Sequence, residues 1–278
     1  FDMRGFYVDQ VLEMGFLREG TARLRIARWI ESQLLRGADV VFALSHEAVA
    51  AMQQWPSVAG RAIHFEVVTT CTDLDLFTPA PGGPRMHAGR PLTVGYAGNA
   101  GQGYLFDPVL DTFLAIRKIR PDARLKIVNR GDHTLIRERL LARNVNDDCV
   151  EVLACDYGNM PDQLRMMDIA MFFYRWGKSH VSSVPTRMGE LLACGVICVS
   201  NVSGAGIVEI LEGEGLGVVM RAFDEESLQA AATAAINLAS SEAVRARCVE
   251  TARRRFSLHA GASVYEKVYQ QLGSTSAG

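Results

Sequence analysis

The sequence predicts an α/β protein: a doubly wound parallel sheet preceded by the end of a second lobe of the same kind. Three observations carry that reading. From about residue 92 onward, short apolar runs alternate with segments of helical periodicity, and parallel strands need such crossovers. The same β-α-β rhythm precedes residue 78. Between the two lies TPAPGGPRMHAGRP, residues 78–91, whose concentration of Pro and Gly marks a linker. At 278 residues the chain also exceeds the usual size of one compact domain.

Element by element, FDMRG reads as a strand tail followed by a loop, and 21–36 as a helix with basic residues between apolar ones. ADVVFALS is a buried strand, HEAVAAMQQW a helix capped by Ser45, and HFEVVTT a strand. Beyond the linker come strands LTVGYAG, LKIVN, CVEVLA, IAMFFY, VICVSN and GVVM. They alternate with helices over 107–119, 133–143, 160–167, 186–193 and 206–211. Three further helices, over 225–239, 242–256 and 262–272, close the chain. In such sheets ligands sit beyond the carboxyl ends of the strands, so the loops 98–104, 129–133, 155–159, 175–186 and 201–206 are the candidate site.

Composition removes several function classes. Apolar residues make up 49% and charged residues 22%, as in ordinary globular proteins. A net charge of -2 gives no global field for nucleic acid, so any anion is bound locally. Cys71, Cys149, Cys155, Cys194, Cys198 and Cys248 form no CxxC pair and read as reduced core residues of a cytosolic protein. No run approaches 18 apolar residues. The chain opens at Phe1 in what reads as the end of a strand, so an N-terminal portion is expected outside it and this piece alone is expected to be inactive.

Chemistry concentrates in two loops. In GYAGNAGQGY the glycines, Gly98 and Gly101 among them, let backbone N–H groups approach a phosphate, although any strand-to-helix turn favours glycine. The GxGxxG dinucleotide pattern is absent. In SSVPTRMGELLACG, Pro185 stands at a helix start, and Ser182 or Ser183 can supply hydroxyls to its free N–H groups. Ser183, Thr186, Arg187 and Lys178 make a phosphate cradle, and Glu190 suits the two hydroxyls of a ribose. The plain alternative is a capped helix with an Arg187 to Glu190 pair at i, i+3.

Gly204 and Gly206 open another helix and offer a sugar or phosphate loop, or a tight turn. Asp2 and Arg4 end a strand where a cleft between lobes would lie, as functional groups or as an ion pair. DLD at 73–75 resembles a metal-binding DxD but precedes a linker, where Asp makes turns. No clustered Cys/His set points to zinc, and no metal is expected. The basic helix 21–36 reads as a solvated face or as a peripheral membrane contact.

Taken together, ADVVFALS, VVTTCTDLDLFTP, GELLACGVICVSN, SGAGIVEIL and FSLHAGASVYEKVY resemble, in that order, the retaining two-lobed glycosyltransferases of family 4, with the GT-B architecture. The resemblance covers nearly the whole chain and is closest to bacterial members with S-x-P-T-K-x-G-E followed by L-A-x-G. It implies transfer of a sugar from a nucleotide diphosphate donor to a glycan, lipid-linked or small-molecule acceptor. No metal or other cofactor is implied, in a cytoplasmic protein that touches the inner face of a membrane at most. It divides the chain into 1–78, part of the acceptor lobe; 79–91, the linker; and 92–278, the donor lobe with its closing helices.

Glu190 matches the second Glu of the family's E-x7-E pattern, which grips the donor ribose. The first falls on Ser182, a departure that leaves the donor sugar without its carboxylate. The usual Arg and Lys after the first strand of the donor lobe are also missing, and Lys178 and Arg187 stand in for them. Two alternatives remain at this point: a nucleotide-sugar binding module without transfer activity, and a sugar-nucleotide epimerase of the same architecture.

Overall fold

The computed structural model describes residues 1–82, 89–101, 103–175, 177–204 and 206–275, without the side chains of Lys178 and Thr275. The central part of the expected linker, 83–88, lies outside the described residues, as does the side-chain role expected of Lys178.

The described residues form two parallel sheets. The first has three strands, β1 (Asp2–Met3), β2 (Val41–Ala43) and β3 (Phe65–Val67), in that order. Its helices are α1 (Tyr7–Glu13), α2 (Ala22–Gly37) and α3 (His46–Gln53). Two starts are set by hydroxyl caps: Leu24 N donates to Thr21 Oγ1 at 3.3 Å, and Ala48 N to Ser45 Oγ at 3.0 Å. One face of the sheet buries Met3, Phe6, Leu35, Val41 and Met52 together.

The second sheet is β6-β5-β4-β7-β8-β9, parallel throughout. Its strands are β4 (Thr93–Ala97), β5 (Arg124–Val128), β6 (Val150–Leu153), β7 (Ile169–Phe172), β8 (Ile197–Ser200) and β9 (Gly217–Val219). Between them run α4 (Phe106–Ile119), α5 (His133–Ala142), α6 (Met160–Arg165) and α7 (Thr186–Ala193). Every residue of β7 and β8 is buried, as strands covered by helices on both faces require. The order places β4 beside β7, so the chain winds outward in one direction from β4 and in the other from β7. The crevice at that switch is where the fold leaves room for a ligand.

Three helices close the chain: α8 (Glu225–Ala239), α9 (Glu242–Arg255) and α10 (Leu258–Thr275). The last does not stay on the second sheet. Val268 is buried with Val40, Phe42 and Val68 of the first, and Tyr265 stacks on Phe42 at 4.1 Å. The polypeptide therefore passes between sheets twice, and the two passages are hydrogen-bonded to each other. Thr72 N donates to Phe256 O at 2.7 Å and Leu258 N to Thr72 O at 3.1 Å.

Two expectations change. Residues after β1 form α1 where a loop was expected, and the helix expected at 206–211 becomes π-helical from Glu209 to Gly213.

Candidate functional site

The site is built where the loops after β4 and β7 meet. Leu105 N donates to Phe173 O at 3.0 Å and Arg175 N to Gly103 O at 3.1 Å, with Tyr104 and Tyr174 paired in an antiparallel bridge between them. Their rings lie 5.3 Å apart. Burial raises the Tyr174 phenol above its ordinary pKa, and the neighbouring Tyr104 adds to the rise. Asn201, just beyond β8 and 1% exposed, bonds both backbone groups of Tyr174: it accepts from Tyr174 N at 2.9 Å and donates to Tyr174 O at 2.7 Å. The two loops thus form one rigid ledge across the switch point.

The glycine loop spends much of its donor capacity internally. Gly98 N donates to Val128 O at 3.1 Å, and Ala100 N to the Asp132 carboxylate at 2.9 Å. Asn129, buried at the end of β5, fixes this by donating to Gly98 O at 2.8 Å and accepting from Asp132 N at 2.6 Å. An internal carboxylate therefore holds one of the N–H groups offered to an anion. Gly101 has open space beside it.

The start of α7 differs from expectation in its cap. Pro185 is the capping residue and no side chain bonds the first turn. The hydroxyls are drawn away because residues Lys178–Ser182 form a 3-10 turn. Ser182, 1% exposed, donates to Ser179 O at 2.8 Å and accepts from Phe6 N at 2.9 Å. Ser183 accepts from Gln10 Nε2 and donates to Ser179 O, both at 3.4 Å. These serines join the turn to the first lobe, while Thr186 is exposed at the helix start.

Arg187 donates to Glu190, forming the i, i+3 pair. Glu190 is 4% exposed, and burial pushes its carboxyl up while Arg187 opposes the shift. Gly189 lies between them in sequence and has no room for more: a Cβ there would stand 2.4 Å from Thr72 Oγ1 and 3.1 Å from Phe256. The site helix therefore sits directly on the two passages between the sheets, at Thr72 and Phe256.

A cavity of about 530 Å³ opens between α1 and this machinery, lined among others by Gln10, Glu13, Tyr104, Arg175, Ser183 and Pro185. Glu13 holds its far wall: Ser179 N and Oγ donate to the carboxylate at 3.1 and 2.5 Å. It also lies where a Cβ of residue 177 would be, 2.1 Å away, so Gly177 is required for the approach.

Gly204 braces the 3-10 turn, with space for a Cβ only 3.1 Å from Val181 Cα, and Gly206 has the left-handed φ of 73° that favours glycine. Asp2 and Arg4 pair with each other at 3.0 Å and line a different cavity, of about 520 Å³, with Phe1, Ile30 and Leu34. Asp73 accepts from Asp75 N at 3.0 Å and Leu76 N at 3.2 Å, the geometry of a turn. Sequence reasoning missed Gln10 and Glu13, whose short helix gave no periodic signal; Asn201 fell within the candidate loop 201–206, but its role follows only from β8 lying beside β7.

No protein-family model and no curated protein sequence matches the chain. Solved structures do. The sucrose-phosphate synthase of Thermosynechococcus elongatus is similar over 95% of this chain, with a TM-score of 0.69 and 20% identity. HepE of Anabaena, solved with UDP and glucose, is similar over 92%, with a TM-score of 0.67 and 17% identity. The chain has the GT-B fold. The pneumococcal O-GlcNAc transferase GtfA, solved with UDP and GlcNAc, shares the GT-B fold over 88% of the chain, with a TM-score of 0.66 and 14% identity. This chain spans 66% of the synthase, 68% of HepE and 48% of GtfA.

Proposed function

We propose that the chain carries the donor-binding lobe, and part of the acceptor lobe, of a retaining glycosyltransferase of family 4 type. It moves a hexose-like sugar from a nucleotide diphosphate to a glycan, lipid-linked or small-molecule acceptor, without a resident metal. The observation that supports this most is the cavity at the β4/β7 switch point, closed on its other side by α1, in a fold whose solved neighbours include HepE and GtfA with UDP bound.

Cleavage of the bond to the diphosphate builds charge on the leaving oxygens. Fixed N–H groups at the uncapped start of α7 stabilise that charge without reorganising, the kind of contact whose loss costs about 3 kcal/mol. Glu190 reaches a ribose only by sharing or leaving Arg187. The working location is the cytoplasm, and α2, with Ile26, Trp29 and Ile30 exposed beside Arg23 and Arg25, supplies a peripheral contact with the inner face of a membrane.

Calorimetric titration of UDP, GDP, ADP and CMP tests the proposal, with binding of one nucleoside diphosphate expected; binding of none rejects it. One observation favours a second reading, a binding module without transfer. Ser182, where a sugar-contacting Glu was expected, is buried and committed to Phe6 N. Nucleotide release from a donor sugar, measured in the full-length protein, separates the two, since a binder releases none.

A further inference from the structure

A diphosphate entering the cavity needs a cation, and Arg187 is a poor source of one. Its guanidinium is committed to a buried carboxylate, and it does not line the cavity. Arg175 does line it. No carboxylate or other group among the described residues pairs with the Arg175 side chain, which is exposed.

An unpaired exposed arginine is ordinary on its own, but this one is held from both sides. Its N–H is bonded to Gly103 O, and the preceding residue has both backbone groups fixed by buried Asn201. The one carboxylate lining the cavity among described residues, Glu13, is turned onto Ser179. A positive fork on a fixed backbone, facing space and lacking an internal anion, is preorganised for an external one.

We infer that Arg175 is the cation that binds the donor diphosphate, positioned by Asn201, and that Arg187 acts on the donor only through Glu190. This rests on the reading that the cavity takes a nucleoside diphosphate. It assigns the two arginines different ligand groups, which makes them separable.

The test is calorimetry with UDP, GDP and ADP, then with the nucleoside of whichever diphosphate binds, on the protein and on Arg175→Ala, Arg175→Lys and Arg187→Ala. Arg175→Ala is expected to weaken the diphosphate by about tenfold or more, equivalent to 1.4 kcal/mol, and to leave the nucleoside within about twofold. Arg175→Lys recovers part of the loss, and Arg187→Ala weakens nucleoside and diphosphate alike.

The inference is overturned if the unmodified protein binds a diphosphate and Arg175→Ala binds it within about twofold as well. It is equally overturned if nucleoside and diphosphate weaken together in that variant. Should the unmodified protein bind none of the three diphosphates, the donor reading falls and takes the inference with it. Circular dichroism of each variant checks that a loss is not unfolding, which the exposed position of Arg175 does not invite.

Discussion

Removing the Arg187 guanidinium would strand the Glu190 carboxylate in a nearly water-free site. Arg187→Ala is therefore expected to cost about 3 kcal/mol in urea unfolding at pH 7, as breaking a buried ion pair usually does. Glu190→Gln in the same chain should return most of it. The sign of the pH dependence follows from burial. A carboxyl held above its unfolded pKa stabilises the fold at acidic pH and loses that contribution as pH rises through the raised value. Without Arg187 the rise is larger, so the deficit of Arg187→Ala should shrink as pH falls toward and below the ordinary carboxylate range. A deficit independent of pH would place its origin elsewhere. At this scale the spacing of Arg187 and Glu190 made their pairing readable in sequence. The burial of Ser182 was not readable, because it depends on Phe6, a partner 176 residues away.

The short helix α1 reaches the second lobe through side chains rather than through a packed face: Val8 is its one buried residue. Its grip on the 3-10 turn is Glu13 over Gly177. Gly177→Ala should cost about 1–2 kcal/mol, mostly as lost hydrogen bonds to Ser179, because a carboxylate at the end of a flexible chain can move aside. In a Glu13→Ala background the same substitution should be nearly neutral, and a double-mutant cycle in urea reads the difference. Strands and long helices were legible because alternation and 3.6-residue periodicity persist through them. A seven-residue helix with one buried position carries neither signal. The glycine loop was legible as a turn, yet the capture of Ala100 N by Asp132 follows only from β5 pairing beside β4.

For the molecule as a whole, one cluster closes the second lobe and one helix, α10, ties that lobe to the first. Below the switch point, Asp168, 1% exposed, accepts from Arg245 of α9, from Arg90 at 2.9 Å and from Thr93 N at 2.9 Å. Asp168→Ala leaves Arg245 buried without its anion and should lower stability by about 3–5 kcal/mol, a midpoint shift that urea denaturation resolves. Above it, Val268→Asp puts a charge between α10 and the first sheet. Hydrogen exchange should then quicken in β2 and β3 while β7 and β8 stay protected. Equal acceleration in both sheets would mean that they unfold as one unit.

The paired passages at Thr72 and Phe256 have a mechanical consequence. Two chain passages bonded to each other at Thr72 and Ser257 resist twisting about the line joining the lobes more than either would alone. Gln10 and Glu13, across the cavity, are thereby kept in register with Ser183 and Ser179.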